Sequence, residues 1–119
     1  MNTYLGLDMG GTKLLIGEID SFGNILRYKK YDTGYFNQHD ALNIIRTSLD
    51  DYIQTVGWYD QKPVAMGIGI IGRVDTTNGI WLQIDPHRTQ QIFLAKELTE
   101  IYGIPCHVDN DVKSATRAE

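Results

Sequence analysis

The chain opens with two apolar runs that are separated by a short glycine-rich segment. The stretch LGLDMGGTKLLIG, residues 5–17, places an aspartate and two adjacent glycines between residues that are typical of β-strands. This pattern predicts strands over 3–7 and 13–19, joined by a hairpin at 9–12. Asp8 is unexpected in such a hairpin, because an apolar residue would continue the strand at that position.

The residues themselves leave two interpretations of the glycine turn open. Gly10 and Gly11 allow a tight type I′ or II′ turn, in which glycine is favoured. Alternatively, the missing side chains let backbone N–H groups approach phosphate oxygens, with the Thr12 hydroxyl and the Lys13 ammonium at the same corner. Asp8 would then hold Mg²⁺, directly or through water. The second interpretation accounts for Asp8, whereas the tight turn does not.

Periodic apolar residues predict five further elements. They are, in chain order, a strand over 25–28, a helix over 41–56, a strand over 64–70, a helix over 94–102 and a strand over 106–108. The run 64–70 is almost unbroken, which is typical of a strand buried on both faces. Asn37 is the expected N-cap of the first helix, and Gly57 and Gly103 stand just beyond the two helix ends.

Length and composition restrict the class of protein. With 119 residues and 42% hydrophobic content, the chain can bury one core and is expected to form one domain. The net charge of -4 and the scattered basic residues disfavour a nucleic-acid surface. Cys106 is the single cysteine, which excludes an internal disulfide and fits a reducing compartment. No apolar run approaches the roughly 20 residues that span a bilayer, so we expect a soluble, cytoplasmic protein without a membrane partner.

A second glycine-rich stretch matches the letters of a dinucleotide fingerprint. Gly67, Gly69 and Gly72 have the spacing G-x-G-x-x-G. That fingerprint needs a strand before the glycines and a helix that opens within them, whereas here the glycines begin inside a predicted strand and residues 73–75 lead into a turn. The match therefore does not favour a dinucleotide site.

Polar residues follow the last predicted strand. The segment Asp109-Asn110-Asp111 stands at the carboxyl end of that strand, before residues 112–119 of helical composition. Ligands collect at this edge of an open α/β sheet, and a carboxylate there can accept the proton of a hydroxyl that attacks a phosphoryl group. Asp111 is thus a candidate general base, and the alternative is that it caps the following helix.

Four segments together resemble the N-terminal domain of the ROK family of repressors and sugar kinases, within the actin-like ATPase superfamily. Each is similar to a family motif (D-x-G-G-T-K, G-x-P-G-x-V-D, a helix leading into G-[IL]-P, and V-E-N-D), and the segments are, in that order, 8–13, 69–75, 94–105 and 108–111. The resemblance runs over the whole chain.

The resemblance implies a ribonuclease-H-like α/β domain, with a mixed five-stranded sheet, the first three strands antiparallel, and helices on both faces. It also implies that residues 1–119 are the truncated N-terminal domain of a two-domain kinase that phosphorylates a hexose or hexose derivative with ATP and Mg²⁺. The C-terminal domain would be absent, so the fragment by itself is expected to be inactive. Full-length proteins of this family often form homodimers.

Site roles follow from the same resemblance. Asp111 would be the base, and Asp8 would serve the metal ion. The sugar would contact Gly72, Asp85, Asn110 and Asp111 itself. The transferred phosphate would be surrounded by Gly10, Gly11, Thr12 and Lys13.

The chain also departs from the family pattern. Ile71 stands where the family usually has proline. Asp85 stands nearest the motif position at which the family has an asparagine that contacts the sugar. Val112-Lys113 replace the usual Ala-Asn after the catalytic aspartate. Sugar identity therefore stays open. The alternative function is a sugar-sensing regulator without catalysis. Such regulators usually carry a helix-turn-helix ahead of the first motif, which here begins at residue 8.

Overall fold

The computed structural model describes residues 2–34, 38–70, 73–75, 80–83 and 93–110. Within these ranges the elements are β1 (Thr3–Met9), β2 (Lys13–Asp20), β3 (Ile25–Asp32), α1 (Gln38–Thr55), β4 (Ala65–Ile70), β5 (Arg73–Asp75), β6 (Ile80–Gln83), α2 (Leu94–Tyr102) and β7 (Cys106–Asn110). Neither α1 nor α2 is long and apolar enough to cross a membrane.

Five of the strands form one mixed sheet in the order β3-β2-β1-β4-β7. β1 and β3 both pair antiparallel with β2, while β4 pairs parallel with β1 and with β7. The predicted ribonuclease-H-like sheet is thus confirmed. β5 and β6 form a separate two-stranded antiparallel sheet. Because residues 73–75 are a strand, the glycines of β4 are not followed by the helix that a dinucleotide fingerprint needs.

One face of the five-stranded sheet carries the hydrophobic core. Alternate residues of the strands point toward it, and Leu7 of β1 has Ile16 of β2 and Ile68 of β4 as its register partners. All three are buried, and they belong to one cluster with Ile45 of α1 and Leu98 of α2. The alternation of burial along β1 is what the pleat of a strand with one covered face requires.

Both described helices pack on this core face. α1 connects β3 to the parallel strand β4, and α2 lies between β4 and β7, so both connections cross the sheet in the same direction. Right-handed crossovers that run in one direction place their helices on one face. Helices were expected on both faces, and the helical composition that suggested a third helix falls on residues 112–119, outside the described ranges.

The opposite face of the sheet has small residues at its centre. Gly6 of β1 pairs with Gly17 of β2 and Gly67 of β4, and a Cβ at Gly67 would meet nothing within 4 Å. Asp8 belongs to this face because it follows Gly6 by two residues along the strand. We call this surface the open face; in the described part of the chain no helix covers it.

Helix ends agree with the sequence, whereas one strand is longer than predicted. Gly57 and Gly103 adopt left-handed backbone with φ of 75° and 68°, as expected just beyond α1 and α2. β3 continues to Asp32 instead of ending at residue 28. The extension is stabilised from α1, because the Asp51 carboxylate accepts hydrogen bonds from the Lys29 ammonium and the Tyr31 hydroxyl. The predicted N-cap, residue 37, lies outside the described residues.

Candidate functional site

The glycine-rich segment forms the tight connection between β1 and β2. Met9 and Leu14 are the last register pair of the two strands. Beyond them the N–H of Gly10 donates to the carbonyl oxygen of Lys13, with a nitrogen to oxygen distance of 2.9 Å. Gly11 and Thr12 therefore occupy the tip of a two-residue connection. We call residues 10–13 the phosphate loop, after the ligand that the sequence suggests.

The backbone of this loop is not the type I′ or II′ turn that one interpretation of the glycines required. Both turn types need a positive φ at their first central residue, which here is Gly11. Among the described residues, positive φ angles occur at Gly23, Gly34, Gly57 and Gly103, and neither loop glycine is one of them. Backbone conformation therefore does not account for the glycine pair.

Crowding within the described part of the chain does not account for the two glycines either. A Cβ built on Gly11 would meet nothing within 4 Å, and one built on Gly10 would lie 3.8 Å from the Lys13 carbonyl oxygen, an ordinary contact. Glycine at both positions leaves space through which an external group can come close to the backbone. Successive N–H groups in a tight turn form a favourable environment for an anion.

The end of β3 fixes the position of the loop. The N–H of Thr33 donates to the carbonyl oxygen of Thr12 at 2.9 Å. The Lys13 ammonium donates to the Asp32 carboxylate, with Nζ 2.9 Å from Oδ2, and this hydrogen bond lowers the pKa of Asp32 below its usual value. Asp32 and Thr33 were not predicted as neighbours of the loop, because the predicted strand ends at residue 28. The alternation of Tyr31 and Asp32 after two lysines is the signal that could have extended it.

Asp8 lies one residue before the end of β1 and its side chain is exposed on the open face. Its register partners are Leu15 on β2 and Gly69 on β4. Lys13 is two residues from Leu15, so the carboxylate and the ammonium project from the same face. The described residues hold no group of three or more metal-ligating side chains. Proteins commonly hold Mg²⁺ with one or two carboxylates together with water and substrate phosphates.

The predicted sugar side of the site begins at the same edge of the sheet. Ile70 of β4 pairs with Met9 of β1 and with Asn110 of β7. The carboxyl ends of these three parallel strands therefore coincide, and two strand spacings separate Met9 from Asn110 by about 10 Å. The structure brings Asp8, the phosphate loop and Asn110 together at one edge. Asp111, Gly72 and Asp85 lie outside the described residues, and their roles stay predictions.

Sheet order and strand directions define a domain with the actin-like ATPase fold. A sequence model of the ROK family matches residues 4–119, and the chain belongs to this family. A search among curated proteins found no match.

Solved structures of the family include kinases and regulators. A ROK family glucokinase from Streptomyces griseus, in complex with glucose and AMPPNP, is 26% identical with a TM-score of 0.76; the match covers 97% of this chain and 35% of that one. A ROK family transcriptional regulator, described as a homolog of the E. coli MLC protein, is 26% identical with a TM-score of 0.81, covering 92% and 28%. The chain thus spans about a third of the length of these proteins.

Proposed function

We propose that this chain is the N-terminal domain of an ATP-dependent sugar kinase, which transfers the terminal phosphoryl group of ATP to a hydroxyl of a hexose or hexose derivative. The observation that carries the proposal is the phosphate loop, where neither the backbone angles nor the packing of the chain calls for Gly10 and Gly11. An approaching phosphate gives both glycines a reason. The similarity to a glucokinase that was solved with AMPPNP supports ATP as the donor.

In this proposal the loop binds the transferred phosphoryl group. Backbone N–H groups of Gly11 and Thr12 approach its oxygens, and the Lys13 ammonium neutralises the charge that develops on them. Asp8 would hold Mg²⁺, directly or through water. An ion held at Asp8 would supply positive charge that offsets the negative charge of the phosphate oxygens.

The acceptor side of the proposed site lies at the end of β7. Asn110, Gly72 and Asp85 orient the sugar so that one hydroxyl oxygen faces the terminal phosphorus. Asp111 accepts the proton of that hydroxyl while the oxygen forms a bond to phosphorus and the bond to ADP breaks. The products are ADP and a sugar phosphate. Such a reaction depends chiefly on positioning and charge neutralisation, with one carboxylate to take the proton. We place the enzyme in the cytoplasm as a homodimer.

A sugar-sensing regulator is the second candidate function. It is favoured by the similarity to the ROK family transcriptional regulator, which has the higher TM-score of the two structures described above. A sensor needs the sugar contacts but has no use for a phosphate loop, a metal-binding carboxylate and a general base. The presence of Asp8 and Asp111 in this sequence therefore favours the kinase.

An ATP-coupled kinase assay on the full-length protein tests the proposal. The panel contains glucose, mannose, fructose, their N-acetylamino relatives and β-glucosides, because the sequence around Asp85 leaves the sugar open. A kinase phosphorylates one of these sugars strongly. If no sugar of the panel is phosphorylated but sugar binding is still measured by calorimetry, the result would instead support the regulator.

The variant Asp111→Asn tests the assignment of the base. Loss of the carboxylate is expected to lower kcat by at least about 100-fold, because a positioned base contributes 10²- to 10⁴-fold to such reactions. Sugar affinity should stay within about threefold, since the amide keeps the size and an oxygen acceptor of the side chain. Turnover near that of the unmodified enzyme would remove Asp111 from this role.

A further inference from the structure

The ion pair between Lys13 and Asp32 joins the phosphate loop to the edge strand of the sheet. Lys13 and Asp32 are register partners across β2 and β3, and Nζ lies 2.9 Å from Oδ2. The other carboxylate oxygen, Oδ1, accepts a hydrogen bond from the N–H of Gly34 at 3.3 Å. Asp32 is thus oriented by its own strand end while it contacts the lysine of the loop.

The exposure of this ion pair means that it contributes little to the free energy of folding. The two side chains are 66% and 71% exposed, and ion pairs in such surroundings contribute little to folding. A second pair, Lys29 with Asp51, joins β3 to α1 at 2.8 Å and is less exposed. The Asp51 carboxylate of that pair also accepts a hydrogen bond from the Tyr31 hydroxyl, and these contacts join α1 to the sheet. The Lys13–Asp32 pair, in contrast, joins two neighbouring strands rather than a strand and a helix.

Asp8 is a second carboxylate near the Lys13 ammonium. Asp8 faces Leu15 in the register of β1 and β2, so Lys13 is its diagonal neighbour on the same face. Diagonal neighbours on antiparallel strands lie about 7–8 Å apart, a distance that a lysine side chain can bridge. A lysine that folded onto Asp8 would neutralise the carboxylate proposed to bind Mg²⁺ and would leave the phosphate loop.

We infer that Asp32 is a positioning residue for nucleotide binding: it holds the Lys13 ammonium on the β3 side of the loop. This inference rests on the proposed phosphate site. An ammonium has three N–H donors, so Lys13 can keep Asp32 and still donate to phosphate oxygens. The lysine then enters the bound state without a change of partner.

The test is a double-mutant cycle on the full-length protein, read as the Kd for Mg·AMPPNP by calorimetry. Asp32→Asn removes the charge but keeps an oxygen acceptor for Gly34, and it is expected to weaken binding about three- to tenfold. In the Lys13→Ala background the same substitution should not weaken binding further, and binding there is expected to be unchanged or slightly tighter. Asp20→Asn removes the same charge at the opposite end of β2, away from the loop, and should leave the Kd within about twofold.

Each outcome decides the inference. Binding that is unchanged or tighter in Asp32→Asn would overturn it, because removal of a nearby negative charge by itself favours an anion. A loss that persists without Lys13 would also overturn it, since the residue would then act on the loop in another way. Nucleotide binding without sugar phosphorylation would refute the proposed kinase activity, but the double-mutant cycle would still test the role of Asp32. Absence of nucleotide binding in the unmodified protein would refute both.

Discussion

Glu18 on β2 and the backbone of Tyr59 are joined by a hydrogen bond in which the N–H of Tyr59 lies 2.9 Å from Oε1. Glu18 is fully buried among core residues, opposite Leu5. The contact therefore fastens the segment after α1 to the sheet through a carboxyl group in the interior. Burial of a carboxyl group is costly unless it is hydrogen-bonded, and the Tyr59 N–H satisfies one of its two oxygens, while Oε2 has no partner among the described residues.

We predict that Glu18→Ala lowers the free energy of unfolding by about 2–4 kcal/mol, measured by urea denaturation. The substitution leaves a cavity and removes the acceptor of the Tyr59 N–H. Glu18→Gln is the matched control, because it keeps the volume and one oxygen acceptor, and it should cost clearly less. A loss below about 0.5 kcal/mol for the alanine variant would show that the contact does not hold this segment.

The hydroxyl of Tyr102 predicts a dependence of stability on alkaline pH. It donates to the Asp50 carboxylate at 2.8 Å and so joins α2 to α1. Burial, followed by the hydrogen bond to Asp50, raises the pKa of Tyr102 above its usual value of 10.0. The folded state then holds this proton more tightly than the unfolded state. The contribution of the Tyr102 hydroxyl to the free energy of unfolding is therefore complete below pH 10 and decreases as the pH rises above that value.

Urea denaturation at several pH values between about 9 and 11.5 measures this effect. We expect the free energy of unfolding to fall more steeply with pH in the unmodified protein than in Tyr102→Phe, which has no proton to lose. Tyr31 has a pKa raised by burial and by Asp51, so some dependence should persist in the variant. Equal slopes in the two proteins would mean that Tyr102 titrates alike in both states.

Sequence patterns predicted most of the described elements because their causes are local. The left-handed conformation of Gly57 and Gly103 requires glycine or a close substitute, so those residues mark the helix ends. The extension of β3 has a weak local signal in the alternation of Tyr31 and Asp32, and its stabilising contact comes from Asp51 of α1, which no pattern within the strand identifies. The order of the strands came from the family resemblance, because periodicity does not specify which strands become neighbours.

The candidate site was predicted by residue type but not by geometry. A glycine pair is compatible with a left-handed turn and with a ligand, and only the φ angles and the open space at Gly11 separate the two. Asp32 could not be linked to Lys13 from the sequence, because the two residues are 19 positions apart and meet through the register of β2 and β3.

Cys106 is predicted to react slowly with thiol reagents. It lies partly buried on the core side of β7 opposite Met66, and this burial raises the pKa of its thiol to about 12. Because the thiolate is the reactive form, the rate with iodoacetamide at pH 8 should be roughly a thousandfold below that of the urea-unfolded chain. Comparison of the two rates by mass spectrometry makes this test. A native rate within about tenfold of the unfolded rate would contradict the burial of the thiol.

The last prediction concerns Gly11, where an added methyl group separates the needs of the fold from those of a ligand. The φ of Gly11 is not positive and its Cβ would meet nothing within 4 Å, so Gly11→Ala should leave the urea midpoint unchanged or slightly higher. The methyl group would occupy the space through which phosphate reaches the loop. We expect the Kd for Mg·AMPPNP in the full-length protein to rise at least about tenfold.

Gly23→Ala is the matched control for Gly11→Ala. Gly23 also has open space around its Cβ position, but its φ is +85°, so alanine there is strained and should lower the free energy of unfolding by about 1 kcal/mol. Its hairpin joins β2 to β3 at the end of the sheet away from the loop, and nucleotide affinity should not change. The opposite pattern, with Gly11→Ala less stable and equally good at binding, would show that the glycine serves the turn and would withdraw the phosphate loop from the proposed site.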